Sequence, residues 1–204
     1  MKTLLKSVAL TFAGFMAFSF TDKEPKVIIV DIVDNIETTN NQNLTQSFRE
    51  SIETLNQKED VKVLEWKTIT NGMDDTKKQA VLDSLKPEVI MTVSFKNATK
   101  TENLVTAVVS KNNKHFDNSL TTARLLTESF DNNVIKNEGV FQAESEYIQD
   151  NAAPAMFISI ETKNDSNSNT EIVNKLSDFI EKVEIDTNIQ LEQPSIENAE
   201  ISIQ

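Results

Sequence analysis

The chain is 204 residues long, 38% hydrophobic and 25% charged, which gives room for one globular domain with a core plus flanking segments. A formal net charge of -12 argues against a nucleic-acid ligand, because phosphate recognition needs a basic footprint. Zero cysteines exclude disulfides, thiolate zinc sites and lipid attachment through an N-terminal cysteine, and they fix no redox compartment.

In chain order, Lys2 and Lys6 flank the start of an apolar run from Val8 to Phe20, and the polar segment Thr21 to Pro25 follows. A basic start and a short apolar stretch form the layout of a secretory signal or an N-terminal membrane anchor over 1–21. The run is short for a spanning helix, and Phe18 to Thr21 carry no small-x-small cleavage pattern. Removing the segment takes two lysines and no acids, so the remainder is more acidic still.

Val27 to Val30 is a continuous apolar run, the signature of a strand covered on both faces. Leu44, Phe48, Ile52 and Leu55 recur at helical spacing and predict a helix with one buried stripe. Val61 to Leu64 reads as a second strand. Val81, Leu82 and Leu85 mark a helix that stops at Lys86, because Pro87 disfavours helical geometry before it. Val89 to Val93 and Leu104 to Val109 read as strands, and Leu120, Ala123, Leu126 and Phe130 as a helical stripe.

Pro154 to Ile160 predicts another buried strand, with proline at its first position. A polar loop, Lys163 to Asn169, follows, and Ser168 with Glu171 has the spacing of a capping box. Ile172, Val173, Leu176, Phe179, Ile180 and Val183 then define an amphipathic helix, and 186–204 reads as a flexible polar tail. The alternation predicts an α/β fold: a single layered domain over 26–185, with a mostly parallel or mixed central sheet and helices on both faces.

Four segments in this order resemble the zinc-dependent N-acetylmuramoyl-L-alanine amidases of bacterial cell-wall turnover. Val27-Ile-Ile-Val-Asp31 resembles the family's first strand, and Asn43-Leu44 the segment after its glutamate ligand. Ser84-Leu-Lys-Pro-Glu-Val-Ile-Met-Thr-Val93 is similar to the approach to the second histidine. Pro154-Ala-Met-Phe-Ile158 is similar to the strand before the catalytic glutamate. The resemblance implies an α/β amidase domain that cleaves the muramoyl-alanine amide of peptidoglycan with one zinc ion.

At the site itself the chain departs from that pattern. The first zinc histidine falls on Asp34, with Val33, Asn35 and Ile36 where the family has glycines. The glutamate ligand falls near Thr39, with Glu37 as a stand-in. The second histidine falls on Ser94, or on Phe95 with a shift of one. The catalytic glutamate falls on Ser159, and Glu161 stands two residues on, where strand alternation keeps it on the same face. A serine hydroxyl is neither an adequate zinc ligand nor a base at neutral pH, and zinc needs three protein donors beside its water. Asp34 and Glu37 form at most an oxygen-only pair suited to a hard cation.

Other candidates carry plainer readings. His115 stands in a polar run between strand and helix and reads as a loop histidine rather than a ligand or base. A serine nucleophile at Ser94 or Ser159 lacks a partnered base and a Gly-x-Ser-x-Gly elbow. Asp31, Asp34 and Glu37 read as solvated or capping residues rather than a cation site. Trp66 reads as packing at a strand end rather than a sugar platform, and Lys67 and Lys78 as structural. Three glycines in the whole chain exclude a glycine-rich phosphate loop.

The expected protein is thus an exported component of a bacterial periplasm or cell envelope, with an amidase-like domain that lacks the zinc ligands. Its ligand would be peptidoglycan or an envelope protein, without a zinc cofactor, and it would meet the membrane only through an uncleaved N-terminal segment. The alternatives are an active amidase with a remodelled metal site around Asp34, Glu37 and Glu161, and an unrelated envelope α/β binding domain.

Overall fold

The computed structural model describes residues 24–33, 42–99, 102–130, 134–143 and 152–184. Their elements are, in order, β1 (Lys26–Val33), α1 (Gln42–Leu55), β2 (Val61–Glu65), α2 (Trp66–Ile69), α3 (Asp75–Leu85), β3 (Val89–Asn97), β4 (Asn103–Val109), α4 (Phe116–Ser129), β5 (Ile135–Gln142), β6 (Ala155–Thr162) and α5 (Ser166–Lys182). Six strands form one sheet in the order β2-β1-β3-β6-β4-β5. All neighbours pair in parallel except β4 and β6, which are antiparallel, so the sheet is mixed.

The apolar runs take the centre of the sheet. In β3 the first seven residues, Val89 to Phe95, are all buried, as both faces of a central strand require. One face, carrying Ile28, Val30, Met91, Val93, Ile158 and Ile160, packs under α1, α4 and α5. Each of these helices offers the stripe its spacing predicts: Leu44, Phe48, Ile52 and Leu55 from α1, and Ile172, Leu176, Phe179 and Ile180 from α5. Phe48 also meets Phe95 edge to face, with ring centroids 6.0 Å apart. The opposite face is covered more thinly, by Leu82 and Leu85 of α3 and Trp66 of α2 against Ile29, Ile90 and Ala155. The α/β sheet with helices on both faces is as the alternation predicts.

Several local readings are corrected. Trp66 does not end β2; it opens the short helix α2 and packs against the second face. The polar stretch from Lys163 to Asn169 is not all loop, because α5 starts at Ser166. Its cap is Asp165, not Ser168: the Asp165 carboxylate accepts from the Ser168 amide at 2.9 Å and the Ser168 hydroxyl at 2.6 Å. Ser168 is itself helical and buried, and its hydroxyl also accepts from Asn103 Nδ2 at 2.8 Å. β3 runs four residues beyond Val93. β5 has no counterpart among the predicted strands; its sequence Ile-Lys-Asn-Glu-Gly-Val-Phe-Gln is polar and interrupted, as suits an edge strand with a register shift opposite Val105 and Thr106. α3 stops where Pro87 predicts, with Lys86 in the left-handed region at φ 46° and its amide bonded to the Leu82 carbonyl.

The predicted leader over 1–21 and tail over 186–204 lie outside the described residues. Among the described residues no helix is long and apolar enough to cross a membrane.

Candidate functional site

Register places the two serines side by side. Ser94 of β3 pairs with Ser159 of β6, Val33 at the end of β1 pairs with Ser94, and Thr106 of β4 pairs with Ser159. These four residues form one row across the sheet on the face covered by α2 and α3. Ser94 is 1% exposed and Ser159 half-buried. Asp31 and Thr92 sit one row back on the same face, also as register partners. Glu161 sits one row forward, opposite Lys96 on one side and Leu104 on the other, so it shares the face of Ser159. Asp34, Thr39 and Glu37, with Asn35 and Ile36, lie outside the described residues.

The ladder does not stop at the serines. It runs through Phe95–Ile160, Lys96–Glu161 and Asn97–Thr162 and closes with the Ala98 amide on the Thr162 carbonyl at 2.9 Å. The carboxyl ends of β3 and β6, where α/β folds place their ligands, are therefore three pairs beyond Ser94 and Ser159. There a crevice of about 340 Å³ is lined by Asn97, Ala98, Thr162, Lys163 and Asn164. A second, of about 400 Å³, shares Asn164 and passes between the first turns of α1 and α5, past Asn43, Ser47, Asn169 and Asn174.

The loop between them is tightly fixed. Asn164 has φ 60°, a left-handed conformation that asparagine tolerates better than most side chains. Its amide donates to Thr162 Oγ1 at 3.0 Å, and its Oδ1 accepts from Asn169 Nδ2 at 2.7 Å. Next to it, hydrogen bonds from the Ser168 hydroxyl and then the Ser168 amide hold the Asp165 carboxyl below its ordinary pKa. This carboxylate is thus committed to the helix cap.

The remaining candidates are scattered. His115 precedes α4 at the other end of the sheet: β4 runs against β6, so the loop after β4 meets the start of β6. There Asn113 Nδ2 donates to the Ala153 carbonyl at 3.2 Å, and Ser119 Oγ accepts from the Ala155 amide at 3.0 Å. Among the described residues no three His, Asp or Glu side chains gather closely enough to hold a metal ion. Lys67 is structural, donating to the Ile32 carbonyl at 2.8 Å, and Lys78 pairs with Asp75 at 3.2 Å.

Known structures share this architecture. The catalytic domain of CwlV, an N-acetylmuramoyl-L-alanine amidase from Bacillus (Paenibacillus) polymyxa var. colistinus, matches with TM-score 0.55 and 13% identity over 76% of this chain and 96% of that one. The chain has the amidase fold. The N-acetylmuramoyl-L-alanine amidase AmiC2 of Nostoc punctiforme matches at TM-score 0.53 and 9% identity, over 78% of this chain and 97% of its own. The amidase of Clostridium difficile 630 matches at TM-score 0.53 and 11% identity, over 78% and 96%. At such identities the likeness is one of fold. No protein-family model and no curated protein matches the sequence.

Within this amidase fold, the paired asparagine crevices are what the sequence reading missed. Their signal was present in Asn164, Ser166, Asn167, Ser168 and Asn169, but a dense run of asparagine and serine reads as loop.

Proposed function

We propose that this chain is an exported, envelope-located protein with the amidase fold that binds peptidoglycan without hydrolysing it. One observation carries the reading: Ser94 and Ser159 are adjacent register partners inside a continuous ladder. The resemblance in sequence puts a zinc-binding histidine on the first and the catalytic glutamate on the second. Two neutral hydroxyls supply no imidazole donor and no base. These two serines do not fit zinc. The fold keeps the sheet end and the crevices beside it, which serve binding as readily as catalysis. The basic, apolar leader supports export.

The test uses mature protein incubated with zinc, dialysed and analysed for metal, then mixed with purified sacculi. The expected result is co-sedimentation with sacculi, zinc far below one equivalent and no release of stem peptides. Stoichiometric zinc together with stem-peptide release overturns the reading in favour of an active amidase. Failure to sediment overturns it in favour of a protein partner.

A further inference from the structure

We infer that α3 is a detachable flap, which leaves the sheet and melts as a unit while the rest of the domain stays folded. The inference is independent of what the domain binds. Along α3 only Leu82 is buried, with Lys78, Val81 and Leu85 part-buried. The first two turns therefore carry no buried side chain. The helices on the other face are held quite differently. α1 buries Leu44, Phe48, Ile52 and Leu55, and α5 buries Ile172, Leu176, Phe179 and Ile180. Each buried apolar side chain contributes a comparable increment, so α3 is fastened by a fraction of what fastens either of them.

The polar contacts of α3 order the helix without tying it to the sheet. Asp74 accepts from the Lys77 amide at 3.0 Å and pairs with Lys77 Nζ. Lys78 pairs with Asp75 at 3.2 Å, and Gln79 Nε2 donates to Asp83 at 2.9 Å. Such exposed contacts contribute little. Once undocked, a helix of 11 residues is too short to persist in water, so leaving the sheet and melting are one event.

Both ends are suited to act as hinges. Before α3, the Met73 amide bonds the Thr70 carbonyl at 3.0 Å, and Gly72 between them takes φ 72°. After it, Lys86 is held at φ 46°, a strain that opening releases. The Glu88 amide is bonded to the Val27 carbonyl at 2.8 Å, so β3 stays paired as the helix leaves. Beneath α3 lie Ile29, Ile90 and Ala155, which form one register row across β1, β3 and β6. Opening bares that row, while the main core under α1, α4 and α5 is on the other face and stays closed.

Hydrogen exchange of the full mature chain, read peptide by peptide by mass spectrometry, tests the flap. The amides of α3 should exchange about a hundredfold or more faster than the slowest amides of α1 and α5. Leu82→Ala should quicken α3 by a further tenfold or more, on the order expected for a buried leucine. The deciding variant is Ile172→Val, which weakens a contact that the open flap leaves intact. It should quicken the slowest amides of α1 and α5 by about two- to tenfold and leave α3 unchanged. Exchange of α3 at the rate of α1 and α5 overturns the flap. So does an Ile172→Val variant that quickens α3 as much as α1, because α3 would then open only when the whole domain unfolds. A Leu82→Ala variant with unaltered α3 exchange overturns it too, since Leu82 would not be what holds the helix down.

Discussion

Ser94 and Ser159 lie directly opposite one another on parallel strands, with backbone pairing continuing for three more residues on both. Ser94 is closed in at 1% exposure. An imidazole is far larger than a hydroxymethyl group, and a filled interior resists such insertion. Ser94→His should therefore destabilise the domain by about 1–3 kcal/mol, read as a lower urea midpoint, without creating zinc binding. A neutral Ser94→His that takes up zinc would show that room for a ligand is already there.

Asn103 joins three parts of the fold. Its Nδ2 donates to the Val134 carbonyl at 2.9 Å and to Ser168 Oγ at 2.8 Å, while its Oδ1 accepts from the Lys163 amide at 2.8 Å. The residue is 6% exposed, so its partners cannot turn to water when it is removed. Asn103→Ala should cost about 2–3 kcal/mol, and Asn103→Asp should not restore it, since a carboxylate cannot donate to Val134 and Ser168. Chemical denaturation of both variants measures this.

The Asp165 cap makes a pH-dependent contribution. Its folded pKa lies below the ordinary aspartate value, first through the Ser168 hydroxyl and then through the Ser168 amide. A depressed carboxylate stabilises the fold above the unfolded value and loses that contribution as pH falls through the folded value. Asp165→Ala should lower stability by about 1 kcal/mol at pH 7, and the gap to the parent should close as pH drops below 3.8. Asp165→Asn, which still accepts from the amide, should retain most of the cap at pH 7. Thermal melts across pH 2 to 7 read out all three proteins.

Lys86 ends α3 at φ 46°, where a β-carbon is strained and glycine is not. The left-handed conformation costs a non-glycine residue about 1–2 kcal/mol, partly offset by the greater unfolded freedom of glycine. Lys86→Gly should thus stabilise the domain by about 0.5–1 kcal/mol, and Lys86→Ala should not. Melting temperatures of the two variants decide it.

Periodicity made most of the fold legible. Leu44, Phe48, Ile52 and Leu55 share a buried face because a 3.6-residue repeat has one structural solution. β5 was not legible, since Lys136, Glu138 and Gly139 break the apolar pattern, and an edge strand needs none. The start of α5 was obscured because asparagine and serine favour loops by local propensity, whereas Asp165 and the buried Ser168 override it. For the site, counting along the resemblance found Ser94 and Ser159, but only register shows that they are neighbours. The crevice asparagines are distant in sequence, from Asn43 to Asn174, and no local pattern links them.

At the far end of the sheet, Lys26 Nζ in the first strand bonds the carbonyls of Glu181 and Val183, the latter at 3.0 Å, where the last helix ends. This cation satisfies carbonyls left open at the end of α5 and ties the beginning of the domain to its end. The described domain thus begins and ends on the side opposite the asparagine crevices. Because these two ends meet, a short linker between Lys26 and Val183 should give a circular permutant that still folds.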